Sequence, residues 1–172
     1  MCIRDSADAA RQRVEKSLAR AVTKNKLSQD DADAALGRLR VTTDYADLAD
    51  RDLVIEAAPE IEDLKREIFT RLDEVVGENT ILATNTSSIP VIKVATATKR
   101  PERVVGVHFF NPVPVMPLVE IISTLVTADE TADAVSTYVR DTLGKNPVRA
   151  GDRSGFIVNA LLIPYLLSLI HI

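Results

Sequence analysis

The sequence predicts an α/β fold with a mostly parallel sheet, on three observations. Short apolar runs bounded by acids, prolines or turn residues recur at 52–57, 80–84 and 103–109, lengths that suit strands. Amphipathic stretches of helical period separate them. Connections this short between alternating strands and helices favour right-handed βαβ units.

Residues 7–24 place Val14, Leu18, Ala21 and Val22 at helical spacing with Arg, Lys and Glu on the other faces, an amphipathic helix with a basic side. A second helix is expected over 29–39, because Ser28 and Asp31 form a capping box and Ala32, Ala35, Leu36 and Leu39 keep the period. Asp52-Leu53-Val54-Ile55-Glu56-Ala57 reads as a strand buried on both faces. The helix after it carries its buried stripe on Ile61, Leu64, Ile68, Leu72 and Val75.

The strand over 80–84 ends in the polar cluster Asn85-Thr86-Ser87-Ser88, and a short helix over 91–97 leads to the strand at 103–109. The proline-dense stretch 111–117 cannot be helix. It is expected to turn the chain into a strand at 118–123, making an antiparallel pair at the sheet edge. A helix over 129–143 is stopped by Gly144, and 147–149 forms a last short strand. Gly151 and Gly155 bracket a linker, so one domain is expected over 7–152 and the start of another over 153–172. The closing apolar run falls short of the roughly 20 residues a membrane span needs. It contains Asn159 and Pro164 and is expected to be a buried or interdomain helix.

Composition narrows the function. Of 172 residues, 46% are hydrophobic and 27% charged, and 21 Lys plus Arg against 25 Asp plus Glu give a net charge of −4. A dedicated nucleic-acid binder would show a basic balance, so neither nucleic acid nor membrane is an expected partner. The single cysteine, Cys2, excludes an intramolecular disulfide and a thiolate metal site, and a reducing, cytoplasmic setting is expected. No His or carboxylate spacing suggests a metal. The opening residues 1–6 and the closing residues from about 167 to 172 do not continue the patterns beside them and read as non-native, which would leave His171 without a role.

Ligands of open parallel sheets bind at the carboxyl ends of the strands. The residues following Ala57, Thr84 and Val107 there include Glu60, Asn85 with Ser87, and His108. If the proline turn folds two strands together, Glu120 reaches His108; a carboxylate partner fixes the imidazole tautomer and stabilises the imidazolium, as a general base requires. The alternative is a core histidine with one hydrogen bond and a surface glutamate. Ser87 lacks the GxSxG context of a hydrolase nucleophile, which leaves it a hydrogen-bonding role or the cap of a helix beginning near Ile89. Asn159 is either a ligand contact or a polar residue facing another domain. The six glycines form no GxGxxG or GxxxxGK[ST] loop.

DLVIEAAPE, ILATNTSSI, VVGVHFFNPVPVMPLVEII and SGFIVNALLIPYL together make the chain, from about residue 7 to 166, resemble the short-chain L-3-hydroxyacyl-CoA dehydrogenases, including the 3-hydroxybutyryl-CoA dehydrogenases. The resemblance implies a Rossmann-like, doubly wound sheet and NAD-dependent oxidation of an L-3-hydroxyacyl-CoA in fatty acid and short-chain acyl metabolism. It implies that His108 is the general base, that Glu120 orients it, and that Ser87 and Asn159 support the substrate. Ala57, Glu60, Lys65, Asn85 and Ser87 then match cofactor positions, and Ser17 and Lys24 match positions contacting coenzyme A.

Such proteins begin with a strand, a GxGxxG loop and its helix, and continue into a helical domain that forms homodimers. Neither pattern is present in this sequence. The chain is therefore expected to be cut at both ends, weak in cofactor binding by itself and prone to aggregate. Two other readings are an acyl-CoA binding module without catalysis and a dehydrogenase of a different 3-hydroxy acid, such as a sugar acid.

Overall fold

The structure, a computed structural model, describes residues 3–169, with side chains from Asp8 to Ser168. Cys2 and His171, and with them the outermost parts of the two ends expected to be non-native, lie outside the described residues. The chain divides into two units, Met1–Asp47 and Leu48–Ile172.

The first unit is a pair of helices, α1 (Ile3–Thr23) and α2 (Gln29–Arg38). Asn25, at φ 53°, takes the left-handed conformation after α1, and the Lys26 N–H returns to the Ala21 carbonyl at 2.9 Å. Asparagine tolerates that conformation better than most residues. Ser28 caps α2 as the sequence predicts: its Oγ accepts the Asp31 N–H at 3.1 Å and donates to the Asp31 carboxylate at 2.7 Å. Arg11 of α1 joins the two helices by donating to the Leu39 carbonyl at 3.2 Å.

The second unit is the α/β body. Its strands β1 (Leu53–Glu56), β2 (Ile81–Thr84), β3 (Val104–Phe109), β4 (Leu118–Ser123) and β5 (Asn146–Gly151) lie side by side in chain order. Strands β1, β2 and β3 run parallel, β4 is antiparallel to β3, and β5 is parallel to β4. Helices α3 (Glu62–Val75), α4 (Val91–Ala95), α5 (Asp129–Thr137) and α6 (Val158–Leu169) complete the unit. Val105, Val107, Val119 and Ile121 pack against Ala132, Val135 and Val139 to form the core on one face. On the other face Gly106 admits α4 closely, since a Cβ there would sit 2.9 Å from Val91 Cγ2 and 2.8 Å from Ile122 Cβ.

Three expectations need correction. Strand β1 is not buried on both faces: among the described residues it is an outer strand of the sheet, and Ile55 is 37% exposed. The buried stripe of α3 is Lys65, Phe69 and Leu72, rotated from the predicted one, and Ile61 is exposed. Hydropathy places a lysine outward, but the buried Glu56 carboxylate draws this one in. The antiparallel pair is not at the edge, because β5 pairs beyond β4. The helix expected to be buried or interdomain forms as α6, and Leu161, Ile163 and Tyr165 on it are exposed.

The helix expected over 129–143 keeps its path but widens near its end. There the Leu143 N–H bonds the Tyr138 carbonyl, five residues back, and Gly144 follows at φ 62°. No helix among the described residues is long and apolar enough to cross a membrane.

Candidate active site

The carboxyl ends of β1, β2 and β3 end side by side, and the polar residues that follow them gather there. His108 lies directly opposite Glu120 in the β3–β4 register. Cross-strand partners on one face lie within side-chain reach, and Glu120 Oε2 accepts from His108 Nδ1 at 2.7 Å. Both side chains are buried. The other carboxylate oxygen, Oε1, accepts the Ile157 and Val158 N–H groups at 3.0 and 2.8 Å. These are the amides of the residue before α6 and of its first residue, where a negative charge is favoured.

With the carboxylate as acceptor, Nδ1 carries the proton and Nε2 holds a lone pair. Among the described residues Nε2 has no hydrogen-bond partner, yet no buried side-chain nitrogen or oxygen lacks one. Nε2 is therefore the atom the ring presents to solvent. Phe110 and Phe156 flank the imidazole at centroid distances of 4.5 and 5.8 Å, fixing its plane.

Glu60, in the loop between β1 and α3, binds the turn after β2. Its Oε1 accepts from the Ser87 and Ser88 N–H groups at 3.0 and 3.1 Å, from Ser88 Oγ at 3.1 Å and from Thr86 Oγ1. Burial works against its ionisation, but the Thr86 hydroxyl, the Ser87 amide, the Lys65 charge and the Ser88 hydroxyl outweigh it and lower the Glu60 pKa to about 2. Ser87 Oγ lies 3.5 Å from Glu60, at the limit of a hydrogen bond, so its hydroxyl is nearly uncommitted. It does not cap a helix: Thr86 Oγ1 accepts the Ile89 N–H at 2.9 Å instead.

Lys65 is wholly enclosed. Its ammonium donates to both Glu56 carboxylate oxygens at 2.7 and 3.0 Å and to the Ala58 carbonyl at 3.1 Å, with Glu60 Oε2 3.5 Å away. Glu56 also accepts from Thr84 Oγ1 at 2.7 Å and from the Ala58 N–H. Asn85 Oδ1 accepts the Phe109 N–H at 2.9 Å and so ties the ends of β2 and β3 together. Asn159 Nδ2 donates to the Ser87 carbonyl at 3.4 Å, bringing α6 to the same place. Ala57 is exposed at the end of β1.

The structure thus gathers Glu60, Lys65, Asn85, Ser87, His108, Glu120 and Asn159 within the second unit. Ser17 and Lys24 belong to the first unit, Ser17 exposed on α1 and Lys24 exposed just after it. Sequence reasoning passed over Glu56, Thr86, Phe156 and Asp152. Glu56 had a signal, an acid closing an apolar strand run; the other three had none, because their partners are distant in sequence. Among the described residues no group of three His, Cys, Asp or Glu side chains could hold a metal.

The arrangement suits an NAD-type ligand in part. A carboxylate ionised at neutral pH beside strand ends can accept ribose hydroxyls, and among the described residues the one partner of Glu60 Oε2 is the Lys65 ammonium at 3.5 Å. No glycine loop for a pyrophosphate exists in this sequence.

Comparison with known proteins agrees. A family model described as 3-hydroxyacyl-CoA dehydrogenase, NAD binding domain, matches residues 2–153. A 3-hydroxybutyryl-CoA dehydrogenase of Mycobacterium tuberculosis is 57% identical over 164 residues, 95% of this chain and 57% of that protein. The mitochondrial hydroxyacyl-coenzyme A dehydrogenase of Homo sapiens is 42% identical over 166 residues, covering 92% of this chain and 52% of that protein. The crystal structure of M. tuberculosis FadB2 superposes with a TM-score of 0.93 at 56% identity, over 96% of this chain and 58% of that one. The chain spans little more than half the length of the curated relatives it matches.

Proposed function

The chain belongs to the 3-hydroxyacyl-CoA dehydrogenase family, and from that premise we propose that it carries the acid–base centre for oxidising an L-3-hydroxyacyl-CoA to the 3-oxoacyl-CoA with NAD. The observation that carries this reading is the His108–Glu120 pair: Nδ1 is held at 2.7 Å and Nε2 is left facing solvent.

His108 Nε2 takes the proton of the substrate 3-hydroxyl, and Glu120 stabilises the imidazolium that results. A bound NAD would supply the hydride acceptor for carbon 3. Ser87 Oγ turns from its long contact with Glu60 to hold the substrate oxygen, and Asn159 supports the substrate from α6. Glu60 binds the cofactor ribose on the nicotinamide side, with Ala57 and Asn85 lining that end. Lys65 acts there through Glu60, its own protons being committed. In the first unit Ser17 and Lys24 contact coenzyme A, the lysine through a phosphate.

The second domain beginning near residue 153, a homodimeric assembly and a cytoplasmic location complete the reading. They are supported by the family and by the acidic, cysteine-poor composition.

The test is reduction of acetoacetyl-CoA by NADH with the full-length gene product. His108→Ala is expected to lower kcat by about 10²–10⁴-fold while NADH affinity is retained. Absence of wild-type turnover, with tight acyl-CoA binding in calorimetry, would replace the enzyme by a binding module. Turnover of a 3-hydroxy acid lacking coenzyme A would replace the substrate.

A further inference from the structure

The segment between β5 and α6 is held in an unfavourable shape. Gly155 lies at φ 74° and Phe156 at φ 51°, and a left-handed phenylalanine persists only where its surroundings dictate it. Gly155 also has no room for a side chain, since a Cβ would fall 2.8 Å from the Ala160 nitrogen. The reward of this shape is local: Phe156 is brought against His108, Ile157 and Val158 onto Glu120, and Asn159 onto Ser87.

Glu120 fastens the far end of the segment. At its near end stands Asp152. One carboxylate oxygen of Asp152 accepts the Val91 N–H at 2.8 Å and the other accepts the Ile92 N–H at 2.8 Å, 61 and 60 residues away in sequence. Its own N–H bonds the Ser123 carbonyl at 3.1 Å, which continues the β4–β5 ladder. Pro90, the residue before α4, supplies no side-chain cap. Asp152 fills that role from another part of the chain, and five residues before Ile92 is Ser87.

We propose that Asp152 is a positioning residue for the reaction: a two-oxygen strut that locks the Ser87–Ile92 stretch to the segment carrying Phe156 and Asn159. It thereby sets the distance between the serine that holds the substrate oxygen and the imidazole that takes its proton. The proposal rests on the dehydrogenase reading above. The bidentate geometry matters because a single bond would let the two segments pivot, whereas two fix both separation and direction. Displacements of the order of 1 Å remote from the chemistry cost about 10²-fold in rate.

The experiment uses the full-length protein, with Asp152→Ala removing both acceptors and Asp152→Asn keeping one. NADH affinity is measured by fluorescence, acetoacetyl-CoA reduction by steady-state kinetics, and backbone amide exchange by mass spectrometry on peptides spanning 84–92 and 153–160. The expected result is a kcat lower by about 10²-fold in the alanine variant, an intermediate value in the asparagine variant and unchanged NADH affinity. Exchange quickens in both peptides. An unchanged kcat in the folded alanine variant overturns the proposal, as does a loss of NADH affinity that accounts for the rate, or faster exchange confined to 84–92. If the wild type reduces no 3-oxoacyl-CoA, the dehydrogenase reading fails by itself. The exchange data then still decide the strut: coupled quickening supports it and confined quickening overturns it.

Discussion

Two buried carboxylate–nitrogen pairs flank the site, and they have the same shortest distance. Glu56 and Lys65 meet at 2.7 Å at the end of β1, and Glu120 and His108 meet at 2.7 Å across β3 and β4. What separates them is the remainder of each nitrogen-bearing side chain. Lys65 directs its ammonium to both Glu56 oxygens and the Ala58 carbonyl, so every proton has an acceptor. His108 uses one nitrogen and keeps the other for solvent. The first pair closes a loop and the second leaves an atom free to react. Burial and ion pairing alone do not mark an acid–base centre; an uncommitted atom does.

The most damaging test of this contrast is Glu120→Gln. Glutamine keeps an oxygen for the Ile157 and Val158 N–H groups but turns an amide N–H toward His108 Nδ1. That nitrogen must then accept, which moves the ring proton to Nε2 and abolishes the base. Turnover is expected to fall by about 10²–10⁴-fold with little change in Tm. A glutamine variant with near wild-type kcat would show that the tautomer does not matter. Glu120→Ala should lower Tm as well, since the α6 amides lose their acceptor.

At the other pair the effect is on folding. Glu56→Gln leaves Lys65 buried against a neutral group, and breaking a buried pair by removing one partner costs about 3–5 kcal/mol. Denaturant unfolding should show that loss, and kcat per folded molecule should hold. Adding Lys65→Met should restore part of the stability, because the stranded charge goes too. If Glu56→Gln instead lowered kcat at unchanged stability, the first pair would belong to the chemistry and the contrast would fail.

Legibility followed the same division. The His108–Glu120 pair was readable because twelve residues and a proline turn bring two strands into a register the period fixes. The strands, their order of appearance and the Ser28 cap were readable for the same reason: each depends on neighbours in sequence. The Lys65 burial was not, since an apolar stripe is inferred by placing charges outward and only the folded chain sets Glu56 beneath α3. Asp152 was hidden in the same way, with its partners 60 and 61 residues behind it. The uncovered face of β1 was misjudged as buried because apolar character records what an element can bury, not what covers it.

The gentlest probe concerns Glu60, which touches the first pair at Lys65 on one side and the Ser87 turn on the other. Its pKa falls from 4.5 to about 2 on folding. A carboxyl depressed in the folded state stabilises it fully above the unfolded pKa, and that contribution fades as pH drops through the folded pKa. Wild type should therefore lose stability faster than Glu60→Gln as pH falls from about 4.5 to about 2. At neutral pH the glutamine variant should be the less stable one. Glu60 is 36% exposed, so solvent screens the effect and the difference should be small and reduced by salt. Parallel stability curves across that acid range would mean that the serine turn does not lower the Glu60 pKa. Glu60 would then still be ionised at neutral pH, but through its ordinary acidity, and the turn would contribute nothing to holding its charge in place.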